Sequence, residues 1–187
     1  MWEVYSHSRV SHDPVHLQGL FDMRRPEIAA KLMQFLHAMN WLRTSLPRMA
    51  EVVAPLRVFL EELIVGAVRR TKRVATNRVI PPASWTADRL QAWAAAKDHV
   101  ANAVMLFHPR PGCQVLMFLD ASECHWGSFV TQVPDAEMQQ RLPVEDMTHE
   151  PLAFLNGNFK GSQMRWATID KEFFAILSTF RRLEHLL

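Results

Sequence analysis

The sequence predicts an α+β fold: a helical front half, then a small antiparallel sheet of three strands and a closing helix. Three observations predict it. Apolar residues recur at helical spacing between residues 28 and 63. Two extended runs, 115–119 and 126–133, are separated only by a short turn. A final stretch from residue 168 to 187 carries an apolar stripe long enough for a helix.

A chain of 187 residues makes one domain or two small ones. Its 49% hydrophobic and 21% charged content are those of an ordinary soluble protein. No apolar run approaches the roughly 18 residues that span a bilayer. The opening MWEVYSHSRV lacks the basic-then-apolar layout of a signal peptide. With only Cys113 and Cys124 there is no disulfide framework, so an intracellular, reducing setting is expected. The net charge is only +2, but residues 1–110 hold 15 Lys+Arg against 9 Asp+Glu, and residues 111–187 hold 6 against 10. A basic front half suits phosphate contact and an acidic rear half suits cations, although such imbalance also occurs in proteins that touch no nucleic acid.

Residues 1–26 are polar, with a short helical possibility around residues 15–23. His12 and His16 are four apart, with His7 nearby, but no further ligand completes a metal set, and solvated surface histidines are the expectation. Pro26-Glu27 reads as a helix start, with Ile28, Leu32, Phe35, Leu36 and Met39 on one face. After Pro47, Val52, Leu56, Phe59, Leu60 and Leu63 trace a second helix, and Pro55 marks its true start or a kink. Arg69, Arg70, Lys72, Arg73 and Arg78 form the strongest basic cluster, read either as a solvated segment or as a phosphate contact. Pro81-Pro82 marks a boundary between residues 1–82 and 83–187. A helix over 87–103 follows, with Thr86 or Ser84 as cap and Leu90, Trp93, Lys97, Val100 and Val104 along its face.

The run 115–119 has the character of a strand buried on both faces. It stops on Asp120, and a carboxylate there needs a cation, a donor or water. Asp120 is therefore either a turn residue or a carboxylate presented by a hairpin. Cys113 and Cys124-His125 have no second close-spaced pair, so a buried thiol and a turn residue are expected. Residues 134–150 read as a loop, 151–155 as a third strand, and Asn156-Gly157-Asn158 as a turn. In the last element Thr168 serves as cap, and Ile169, Phe173, Ile176, Leu177, Phe180, Leu183 and Leu187 form the apolar face. Glu172 sits at the edge of that face, where an exposed helix acid is the plain reading.

Several motifs together resemble the Pol polyproteins of gypsy-type LTR retrotransposons. LDAS followed by TQV resembles the TDAS strand of their ribonuclease H-like domain, and RWATIDKEFFAIL its later Tyr-Ser-Thr-x-(Asp/Glu)-Lys-Glu helix. Phe35, Leu36, Asn40, Trp41, Arg43, Pro47, Ala54, Pro55 and Leu56 keep the order of the segment that follows the reverse transcriptase palm. His37 and Leu42 depart from that pattern, and Asn158 replaces a basic residue. Asp13-Pro14 and Pro26 also fall where that family has a linker.

The resemblance implies the thumb/connection end of a reverse transcriptase over residues 1–82 and the N-terminal half of a ribonuclease H-like domain over 83–187. It implies RNA-directed DNA synthesis and metal-dependent cleavage of RNA in RNA–DNA hybrids as the parent activities. It makes Asp120 and Glu172 catalytic, metal-binding carboxylates, and assigns Trp41, Arg43 and the cluster Arg69, Arg70, Lys72 and Arg73 to nucleic acid. The family's centre holds two Mg²⁺ ions on four acids; only two are matched, and no palm precedes them. The chain is therefore expected to be inactive alone, with an exposed sheet edge and helix face. Its partners would be a hybrid or duplex and the rest of a Pol polyprotein, with no membrane. A non-catalytic nucleic-acid-binding module and an inert retroelement relic are the competing readings.

Overall fold

A computed structural model describes residues 3–5, 9–65 and 72–184, with side chains from 9–65 and 74–184. The helical region contains α1 (Pro14–Phe21), α2 (Ala29–Trp41), α3 (Met49–Val52), α4 (Ala54–Leu63), α5 (Lys72–Thr76) and α6 (Ala87–Ala101). The spacing-derived faces of α2 and α4 are the buried ones. Leu32, Phe35, Leu36 and Met39 meet Leu56, Phe59, Trp85, Trp93, Ala96 and Val100 in one core. Phe35 and Trp93 lie 4.3 Å apart between ring centroids. This core includes residues on both sides of Pro81-Pro82, because α6 packs against α1, α3 and α4. Pro55 stands in the first turn of α4, where its missing N–H costs nothing.

Three local expectations need correction here. The Pro26 start gives way to an extended segment: Ile28 bridges Val79, and α2 begins at Ala29, whose N–H donates to the Arg78 carbonyl. On α6, Leu90 is 39% exposed, and Ala92 and Ala96 join Trp93 and Val100 on the inner face. The polar N-terminus contributes β1 (Glu3–Tyr5) and β2 (Arg9–His12); β2 pairs antiparallel with β1 on one side and with β3 (Leu106–Phe107) on the other. His12 is thus no surface histidine. It is buried in β2 and its Nε2 shares a 2.8 Å hydrogen bond with Ser45 Oγ. His16 lies on α1 and meets Asp13, while His7 falls outside the described residues.

The second sheet runs β4 (Cys113–Ala121), β5 (His125–Pro134), β6 (Glu150–Asn158), all antiparallel, with α8 (Thr168–Leu183) packed on one face. The hairpin lies where the apolar runs place it, but β4 is an outer strand and not buried on both faces: Phe118 is 39% exposed. Residues 134–150 are not plain loop; they hold α7 (Asp135–Gln139) and a short 3-10 turn, Val144–Asp146. Asn156, Gly157 and Asn158 continue β6 and pair with Gly127, Trp126 and His125, so they form no turn. Thr168 is the first helical residue of α8, and the cap position belongs to Ala167 without a side-chain bond.

The largest departure concerns which side of α8 faces inward. Lys171, Ala175, Thr179 and Leu183 are buried, whereas Ile169, Phe173, Ile176, Leu177 and Phe180 are exposed. Phe174 turns toward Trp126, Phe159 and Trp166. Lys171 is accommodated because its ammonium donates to the Glu123 carbonyl at 2.8 Å and lies 5.5 Å from the Phe159 ring centre. Among the described residues no helix is long and apolar enough to cross a membrane.

Candidate nucleic-acid interface and carboxylate site

Asp120 stands one residue before the end of β4, opposite Gly127 of β5. Val115, Met117, Leu119 and Ala121 pack into the cluster that contains Ala175 and Leu183 of α8. Strand alternation therefore turns Asp120 and Phe118 to the other face. There Asp120 is exposed and lines a cavity of about 420 Å³ with Arg48, Glu51, Phe118, Phe129, Phe154 and Asn156 among its walls. Phe118, Phe129 and Phe154 stack across the three strands at 5.8 and 5.0 Å.

Glu172 is exposed on the first turns of α8, next to the buried Lys171 that ties this helix to the β4–β5 turn. Asp120 faces away from the side of the sheet that α8 covers, Glu172 lies on α8 itself, and no hydrogen bond joins them. Their oxygens are the donors Mg²⁺ prefers. Among the described residues, however, no group of three or more His, Cys, Asp or Glu side chains gathers in one place. In-line displacement between two metal ions requires a larger carboxylate set. These residues do not fit a two-metal centre.

The basic surface is built on the helical region. Trp41 ends α2 and is 71% exposed, although the same helix buries seven other residues. Leu36, His37, Asn40, Trp41 and Arg57 line an open hollow of about 540 Å³. Burial holds the Arg57 guanidinium below its ordinary pKa. Arg43 follows in the 3-10 turn Arg43–Ser45, which packs against β6. Lys72 and Arg73 open α5; their side chains, and all of Arg69 and Arg70, lie outside the described residues.

Two residues that sequence reasoning passed over complete this surface. Asn156, read as part of a turn, accepts from Ala50 N–H at 3.0 Å and donates to the Leu46 carbonyl at 3.5 Å. It pins the sheet to the helical region. Arg182 donates to the Asn156 carbonyl at 3.2 Å and stacks 5.0 Å above the Trp126 ring. A basic residue near the end of α8 was the only sequence signal, and helix-dipole complementation accounts for it equally well.

Residues 85–187 match the family described as the RNase H-like domain found in reverse transcriptase. Over 172 residues the chain is 22% identical to the transposon Tf2-3 polyprotein of Schizosaccharomyces pombe, covering 92% of this chain and 11% of that polyprotein. The chain therefore spans about a tenth of the length of the curated relatives it matches. Its fold is similar to a foamy viral protease-reverse transcriptase solved in complex with an RNA/DNA hybrid. The TM-score is 0.69 at 12% identity, over 99% of this chain and 22% of that one. The same enzyme in complex with double-stranded DNA matches with a TM-score of 0.68 at 14% identity, over 100% and 34%. The chain belongs to the RNase H-like domain family found in reverse transcriptases.

Proposed function

We propose that this chain is a segment of a retroelement reverse transcriptase/ribonuclease H polyprotein. In that reading residues 1–82 form its thumb- and connection-like part and 83–187 part of its ribonuclease H-like domain. The segment holds an RNA–DNA hybrid or duplex and does not cleave it alone. The observation that carries the binding half is Trp41. An exposed indole in a hollow shared with His37, Asn40 and Arg57 offers a flat face on which a base or sugar can stack beside a cation. Neither Arg43 nor Arg57 has a carboxylate partner among the described residues, so both remain available to phosphates. The foamy viral neighbours were solved in complex with an RNA/DNA hybrid and with double-stranded DNA, which supports the reading for this chain.

For cleavage, Asp120 and Glu172 are the two carboxylates that the family resemblance assigns to Mg²⁺, and by themselves they do not make a two-metal centre. Anisotropy of a labelled RNA–DNA hybrid tests the binding half. Trp41→Ala is expected to weaken binding about tenfold, or ~1.4 kcal/mol, with the fold unchanged. Equal affinity for both proteins would remove Trp41 from the interface. A wild-type chain that ignores the hybrid at low salt would favour an inert relic.

A further inference from the structure

We propose that Arg43 and Arg182 together grip one phosphate of the nucleic-acid backbone, at the seam between the helical region and the sheet. The inference rests on the duplex-binding reading above and adds a second residue, a defined ligand group and a place for it.

A chain of contacts builds the seam. Gly157 leaves room for the Trp126 ring to lie across β6. Arg182 spreads over that ring and donates to the Asn156 backbone carbonyl. The Asn156 side chain reaches the Leu46 carbonyl and the Ala50 N–H. Leu46 directly follows the 3-10 turn that carries Arg43, and that turn packs on β6. Arg43 and Arg182 therefore approach each other from two regions far apart in sequence.

Neither guanidinium has a carboxylate partner among the described residues, and both residues are exposed. This contrasts with Arg48, Arg89 and Arg110, which meet Glu51, Glu62 and Glu150. Burial, and then repulsion from Arg43, hold Arg182 below its ordinary pKa. Two cations kept near each other without an acid lower their energy by sharing an anion, and guanidinium forks match phosphate oxygens. Arg182 is held in place by Trp126 and Asn156, so less side-chain freedom is lost on binding.

The test is the salt dependence of hybrid binding for wild type, Arg43→Gln, Arg182→Lys, the double variant Arg43→Gln/Arg182→Gln and the control Arg181→Gln. Each phosphate contact contributes about 0.9 to the slope of log affinity against log salt. The double variant is expected to lower the slope by about one contact in all, and Arg43→Gln by less than one with a clear loss of affinity, because Arg182 still meets the shared phosphate. Arg182→Lys keeps the charge and loses the fork, so affinity should fall several-fold with the slope nearly retained. Arg181→Gln should change little. Arg43 has no hydrogen-bond or ion-pair partner to lose among the described residues, so its variant reports on binding even if Arg182 substitutions unfold the chain. Wild-type binding with an unchanged slope and affinity in Arg43→Gln would overturn the shared phosphate while leaving duplex binding standing. A slope lower by about two contacts in the double variant would overturn it too, since that means two separate phosphates. No wild-type binding at low salt would overturn both.

Discussion

Gly157 and Trp126 are fitted to each other across the β5–β6 pair: a Cβ on residue 157 would sit 2.7 Å from the indole Nε1. The indole cannot simply move aside, because Phe174 and Arg182 pack on it. Gly157→Ala is therefore expected to destabilise the chain by about 1–3 kcal/mol through overpacking. Denaturant unfolding followed by tryptophan fluorescence checks this. An unchanged midpoint would mean that the ring has more freedom than its neighbours suggest.

The Asn156 carboxamide is the main polar tie between sheet and helices. Asn156→Ala leaves the Ala50 N–H without its acceptor, at a cost of about 1–3 kcal/mol. Limited proteolysis should then cut more readily between α3 and β6. Equal digestion of both proteins would show that apolar packing alone holds the regions together.

Glu137 accepts a 2.6 Å hydrogen bond from the Thr148 backbone N–H, and this bond holds its carboxyl below the ordinary range. A depressed folded-state pKa contributes stability above the unfolded-state value, and that contribution disappears as pH falls through the folded value. Thermal midpoints of wild type and Glu137→Gln should therefore differ at neutral pH. They should converge only at pH below the ordinary carboxylate range, where Glu137 is protonated in the folded chain as well. Parallel curves throughout would contradict the assignment.

The exposed stripe on α8 carries a separate expectation. Ile169 and Phe173 are 73% and 65% exposed, so replacing them costs the fold little. The double variant Ile169→Lys/Phe173→Glu should stay monomeric to higher concentration with its melting temperature unchanged, as sedimentation and calorimetry can show. A marked loss of melting temperature would mean that the stripe packs within the chain.

What could be read in the sequence follows from how local each cause is. Leu32, Phe35, Leu36 and Met39 share a face by helical period alone, and the β4–β5 hairpin needs only two apolar runs and a turn. Tertiary partners decided the rest. Asn156-Gly157-Asn158 has turn composition, yet it is strand because Trp126 requires the glycine and α3 requires the asparagine. The inward side of α8 contains Lys171, whose ammonium finds the Glu123 carbonyl, so hydrophobicity alone pointed to the wrong face. β2 is four residues long and pairs with residues almost a hundred positions away, beyond any local signal. At the candidate site, motif resemblance picked out Asp120 and Glu172, but Arg182 takes its place only through Trp126 and Asn156.

The central claim is that this chain holds a hybrid without cutting it. A labelled RNA–DNA hybrid incubated with the chain and Mg²⁺ at low salt tests it directly, with Asp120→Asn run alongside. Both proteins should give a shifted, intact hybrid. Cleavage by the wild-type chain that vanishes in Asp120→Asn would contradict it, and would mean that a complete set of carboxylates assembles from this chain after all.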